Sequence, residues 1–182
     1  MPLIIGIIVL VLIILYVFVT YNSFVKLKNR VKEAFSTMDV YLKKRWDLIP
    51  NIVEVVKGYA KHEKDTLKEV VELRNSVYDK MDDETKVDTN NKITQGLTKI
   101  MALAEAYPDL KADKNFRELQ TELSKVEEDI ANARKYYNGS IRLYNNKVQM
   151  IPSNIVAKLF GYKEEKMFEI DSLEKENVKV EL

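Results

Sequence analysis

The chain has 182 residues, no cysteine, one histidine, and 29 basic side chains against 28 acidic ones. Without cysteine there can be no disulfides, thiolate metal sites, cysteine nucleophiles or cysteine lipidation, and the charge balance removes any electrostatic case for nucleic-acid binding. Glycine and proline are few while Glu, Lys, Leu and Val are abundant, a composition that favours long helices.

The first element is apolar throughout. From Leu3 to Val19 the chain reads LIIGIIVLVLIILYVFV, and no charged side chain precedes Lys26. At about 1.5 Å of rise per residue such a helix crosses most of a ~30 Å hydrocarbon core, and only a helix satisfies its own backbone there. A cleaved signal peptide is one alternative. It needs a basic start, a shorter apolar run and a small-residue cleavage site, whereas this run begins without Lys or Arg and ends Tyr16-Val17-Phe18-Val19-Thr20-Tyr21. A buried core helix is the other alternative, but such helices seldom stay apolar on every side for so long. Tyr16 and Tyr21 suit the membrane interface, and Lys26, Lys28, Arg30 and Lys32 beyond it place the C-terminal part in the cytoplasm by the positive-inside rule.

Apolar residues then recur at helical spacing. Phe24, Leu27, Val31, Phe35, Met38 and Leu42 form one stripe, so the membrane helix is expected to continue into the soluble part. A break is expected at Arg45–Asn51, because Pro50 disfavours helix in the residue before it and Asp47 can cap a new start. A continuous, kinked helix is the rival reading.

A second stripe, Ile49 to Met81, includes two charged members, Glu63 and Arg74, and a turn is expected at Asp82–Thr85. The third stripe runs from Ile93 to Tyr107, contains Gly96 and stops at Pro108. The fourth and longest runs from Phe116 to Val148, with Asp113 as its expected N-cap and Pro152 as its end. The tail from Lys163 to Leu182 holds seven acids and four lysines and is expected to be mostly loose, with Met167-Phe168-Glu169-Ile170 packing back. The fold class is therefore all-α: an N-terminal transmembrane helix (1–21), an antiparallel up-down bundle of about four long helices (22–161) and an acidic C-terminal tail (162–182).

Sites for chemistry are scarce. The single histidine, His62, cannot build the paired Glu-x-x-His motifs of a di-iron bundle, and no Glu-x-x-His occurs. Neither Gly-x-Ser-x-Gly nor a phosphate-binding glycine loop is present. Glu118 with Glu122, and Glu127-Glu128-Asp129, read as solvated helix-face charge. No catalytic, cofactor-binding or metal-binding residue is assigned, and no cofactor is implied.

One pattern stands apart. Glu127, Arg134, Asn138 and Asn145 are spaced by seven, four and seven, which puts them near one face beside the apolar seam of the fourth helix. Polar residues there can set helix register, or can line a groove for an extended ligand. Glu63 and Arg74 are candidate partners for this stripe. Lys43-Lys44-Arg45 beside Trp46 has two readings, a basic patch for anionic headgroups or an acidic partner, and the solvated end of a helix hairpin.

Several ordered segments resemble the LemA family of bacterial membrane proteins. They are Tyr21-Asn22-Ser23-Phe24-Val25, Asp39 to Arg45, Asp47-Leu48-Ile49-Pro50-Asn51, Val56-Lys57-Gly58-Tyr59-Ala60 with His62-Glu63, Glu105 to Ala112, Asn115-Phe116, Ala133 to Asn138, and Tyr144-Asn145. The resemblance implies a single-pass bacterial membrane protein with a helical-bundle domain and no enzyme activity. It also implies relatives among magnetosome-membrane proteins and others that lie near membrane metalloproteases, which suggests a role in organising other membrane proteins.

The expected function is a membrane-anchored, non-enzymatic scaffold or adaptor. It would touch the lipid bilayer through its first helix and protein partners through the rest, as a homo-oligomer or with a membrane protease; no nucleic acid and no small-molecule substrate is expected. Two other classes stay open: an envelope hydrolase using carboxylates, which needs two acids facing one cavity, and a ligand or peptide sensor, which needs a pocket between helices.

Overall fold

The structure, a computed structural model, describes residues 1–60, 68, 71–72 and 78–168. Among these residues all regular structure is helical: α1 (Pro2–Tyr59), a 3-10 turn (Tyr78–Lys80), α2 (Asp83–Glu105), α3 (Pro108–Ala112), α4 (Lys114–Gln149) and α5 (Ser153–Phe160). The described residues divide into two compact units, one of residues 1–38 and 133–168, the other of those between 39 and 132.

α1 runs unbroken from the apolar segment to Tyr59, with Pro50 inside it, so the break expected at Arg45–Asn51 does not occur. Proline removes one backbone hydrogen bond and costs a helix interior about 3 kcal/mol. Against this stands a stripe that crosses the proline, Trp46, Ile49, Ile52, Val53 and Val56, all buried. At about 1.5–3 kcal/mol for each large apolar side chain removed from water, the stripe wins. Asp47 caps nothing and instead accepts from Lys43 one helical turn earlier, at 2.6 Å.

In the second unit Asp82, expected in a turn, is the N-cap of α2: it accepts from the Thr85 amide at 2.8 Å. Asp83 and Glu84 fill the first helical turn, where carboxylates favour the positive end of the helix dipole. The helix therefore starts ten residues before its first predicted apolar member. Pro108, expected to end the third stripe, stands at the first position of α3, where its missing N–H has no cost. Asp113 caps α4 as expected, accepting from the Phe116 amide at 2.9 Å.

Cross-helix bonds in this unit give the directions. Asp39 meets Lys86 while Arg45 meets Asn90 and Thr94, so α1 and α2 run parallel here. Arg45 meets Glu127 while Tyr59 meets Asp113, so α4 runs antiparallel to α1. The core comprises Leu42, Ile49, Ile52, Ile93, Ile100 and Leu110 with their neighbours.

In the first unit the start of α1 packs on the end of α4 and on α5. Phe24, Val31, Ile141, Tyr144, Val156 and Ala157 form the buried cluster, with Val17, Leu27, Tyr137, Val148 and Tyr162 against it. Phe24 lies 6.3 Å from Tyr144 and Phe35 lies 5.6 Å from Tyr137, ring centre to ring centre, so these segments too are antiparallel. After Gln149 the chain turns through a cis Ile151–Pro152 bond. The Ser153 hydroxyl lies 2.7 Å from the Lys147 carbonyl and 2.9 Å from that of Met150, a shared donor for the last carbonyls of α4. α5 was not anticipated from the sequence, which placed only the end of the fourth helix at Pro152. It ends at Gly161, whose φ of 73° is the left-handed geometry open to glycine, with the Tyr162 amide bonded to the Ala157 carbonyl at 2.9 Å.

Candidate functional site: a buried arginine and an asparagine pair

In the second unit the strongest polar feature is Arg45, 1% exposed although it sits in the basic run Lys43-Lys44-Arg45. Its position follows from spacing: Arg45 is three residues after Leu42 and four before Ile49, in step with the apolar seam. One terminal nitrogen donates to Glu127 (2.8 and 3.0 Å) and to the Thr94 hydroxyl (2.9 Å). The other donates to the backbone carbonyl and side-chain oxygen of Asn90, at 2.8 and 2.7 Å. Asn90, also buried, is three residues before Ile93 and in turn donates to the Lys86 carbonyl at 2.9 Å.

Neither sequence reading of the basic run survives for Arg45. It is an internal charge joining α1, α2 and α4, and the run is mid-helix rather than at a hairpin end. Lys43 pairs with Asp47 at 2.6 Å and Lys44 with Glu122 at 3.3 Å.

A second cluster of this unit centres on Asp39. It accepts from the Tyr78 hydroxyl at 2.7 Å and from Lys86 at 2.8 Å, while Lys86 lies 5.2 Å from the centre of the Tyr78 ring and Trp46 packs 5.3 Å from it. Burial, and then the bond to Asp39, push the Tyr78 hydroxyl far above the ordinary tyrosine range. The sequence reading missed Asp39, Tyr78 and Lys86, and no periodic signal marks them.

In the first unit Asn138 and Asn145 act as a pair. Each side-chain amide closes two hydrogen bonds with one backbone unit of the segment after α5. Asn145 accepts from the Glu165 amide at 2.9 Å and donates to the Glu165 carbonyl at 2.8 Å. Asn138 accepts from the Phe168 amide at 2.8 Å and donates to the Phe168 carbonyl at 2.9 Å. The registers match. Seven helical residues rise about 10.5 Å, and three residues of extended chain cover about 10 Å. Phe168 is buried, and the Arg134 guanidinium lies 4.4 Å from its ring centre.

The predicted polar stripe is thus divided. Arg134, Asn138 and Asn145 converge on one extended segment, in the manner of a groove. Glu127 belongs to the other unit and serves Arg45. Glu63 and Arg74, the proposed partners of the stripe, lie outside the described residues, as do Glu169 and Ile170. Among the described residues, no group of three or more His, Asp or Glu side chains is placed to hold a metal ion.

These features define an all-helical protein with one helix long and apolar enough to cross a membrane, whose polar side chains tie helices and an extended segment together. The chain belongs to the LemA family, whose family model matches residues 34–182. It is 24% identical over 158 residues to Protein LemA of Metamycoplasma hominis, covering 86% of this chain and 72% of that protein. It is 23% identical over 190 residues to Magnetosome protein MamQ of Magnetospirillum gryphiswaldense, covering 90% of this chain and 70% of that protein. Against Magnetosome protein MamQ 2 of Paramagnetospirillum magneticum the identity is 22% over 175 residues, with 82% of this chain and 64% of the relative covered.

Proposed function

We propose that the protein is a membrane-anchored, non-enzymatic helical scaffold that binds other membrane or envelope proteins. The observation that carries this reading is the asparagine pair of α4. A helix face that grips a peptide backbone by amide side chains is a device for protein docking, because main-chain bonds supply affinity without chemistry at a reacting atom. The partner is another protein at the same membrane, a second copy or a membrane protease. The names of the magnetosome relatives support a role at membranes, and the exposed Lys26, Lys28, Arg30 and Lys32 support a cytoplasmic soluble part.

The test is photo-crosslinking in cells from Tyr136 and Leu143, both exposed on α4 near the asparagines. The reading expects the same membrane protein to be captured from both positions, and to be lost when Asn138→Ala and Asn145→Ala are combined. Crosslinks confined to residues within a single molecule would count against it. Orientation is checked with Lys135→Cys in this cysteine-free chain: a membrane-impermeant maleimide should label it only after the membrane is opened.

A second reading, a sensor for extended peptides, has the same pair in its favour. It differs in expecting release of the 165–168 segment when ligand binds, which a fluorophore on the exposed Met167 position would report.

A further inference from the structure

We infer that α5 is an interfacial helix, lying in the bilayer surface beside the end of the α1 span; this rests on the anchoring reading above. α5 is amphipathic in an unusual setting. Its inner face, Ser153, Val156 and Ala157, is buried in the first unit. Its outer side carries two large apolar residues four apart, Ile155 (66% exposed) and Leu159 (70%), and Ile151 (81%) is exposed in the turn just before the helix. A stripe of this size facing water is uncommon in a soluble domain and marks a docking surface.

What covers it follows from its position. Phe160, the last residue of α5, packs on Tyr21 at 4.8 Å between ring centres. Tyr162 stacks on Phe24 at 4.7 Å and lies 6.1 Å from Tyr21. Val17 packs against the same cluster as Val156 and Ala157. The helix is thereby fixed at the level of Val17–Phe24, where the apolar run ends and before the first charge at Lys26. The free surface of the span at that level, Phe18 and Val19, is exposed and apolar, so α5 sits at a height where the chain presents apolar side chains outward. Tyr16, Tyr21, Phe160 and Tyr162 gather at this height as aromatic residues do at a membrane interface. A short helix with one apolar face, held there by its host protein, inserts that face at the boundary of headgroups and acyl chains.

The experiment uses the full-length chain in phospholipid vesicles, with an environment-sensitive fluorophore on one cysteine at a time. Ile155→Cys and Leu159→Cys report α5, Val11→Cys reports the span, and Lys135→Cys, exposed on α4, reports water. All four positions are exposed in the protein, so the label displaces no core side chain. The expected result is blue-shifted emission at 155 and 159 and loss of that emission when the lipids carry nitroxides near the headgroup, with no loss at 135. Water-like emission at 155 and 159, with Val11 quenched by deep nitroxides, would overturn the interfacial helix and leave the anchor standing. A blue shift without lipid quenching would also overturn it, showing a protein partner or second copy on this face. If Val11 is not quenched, the anchoring reading fails, and the interfacial helix, which is placed beside that span, falls with it.

Discussion

Arg45 reaches Glu127 across 82 residues of sequence and contacts both of its carboxylate oxygens, at 2.8 and 3.0 Å. Arg45 is fully buried while Glu127 is over a third exposed, so the pair is one internal charge held by a partner that still touches water.

The two halves of that pair are expected to respond differently to substitution. Glu127→Ala leaves a buried guanidinium whose remaining partners among the described residues are Asn90 and Thr94, and a loss of about 2–3 kcal/mol is expected. Arg45→Met removes the charge together with its demands. Its Nε finds no acceptor among the described residues, so this substitution is expected to cost less than Glu127→Ala. Denaturant unfolding of both variants measures the order; Arg45→Met as the more damaging change would refute it.

The asparagine pair is expected to govern how firmly residues 162–168 are held. Asn138→Ala and Asn145→Ala each delete two hydrogen bonds, worth about 1–2 kcal/mol in local stability. Trypsin should then cut at Lys163 and Lys166 roughly tenfold faster in either variant, while unfolding of the helices changes little. Equal cleavage rates in the native and altered chains would show that the segment is held by something else.

Pro50 is a point of stored cost. Replacing it with Ala restores an amide for the Trp46 carbonyl and removes the ring clash, against a smaller gain of freedom in the unfolded chain. Pro50→Ala is expected to raise stability by about 2 kcal/mol. A fall in the melting temperature would mean that the proline fits a bend the core requires.

Two pH limits follow from the titrating groups. Asp113 is held below its ordinary 3.8 by the Phe116 amide and then by the Tyr59 hydroxyl, and Asp82 is lowered by its bonds from Thr85. Depressed carboxylates stabilise above their unfolded value and lose that contribution as pH falls through the folded one, so stability should decline below about pH 4. Tyr78 is shifted the other way, by burial first. Its contribution is complete below the ordinary value of 10.0 and is lost as pH rises beyond it, when only the unfolded chain gives up the proton. Melting temperatures across both ranges test this. Asp113→Asn, which keeps a cap acceptor, should flatten the acid limb, and Tyr78→Phe should flatten the alkaline one.

Much of the fold is legible in residue order alone. A charge-free run of this length before Lys26 specifies a helix in lipid, because there the backbone must satisfy its own polar groups. The cap at Asp113 and the seam of α4 are equally local, since a carboxylate three residues before a periodic apolar run is placed to accept from the first free amides of the helix. The stop expected at Pro50 was a local rule outvoted by the buried stripe around it, and α5, eight residues long, carries too little period to announce itself.

Which polar residues matter was decided only by tertiary packing. Arg45 reads as part of a solvated basic run, although its step of three from Leu42 already put it on the seam; its partners lie on two other helices. Asn138 and Asn145 show their spacing in the sequence, but not that a distant segment with a matching rise would bond to both. Periodicity states which face of a helix turns inward. The partner a buried polar group finds there depends on chain that arrives from elsewhere, and that information exists only once the helices are packed.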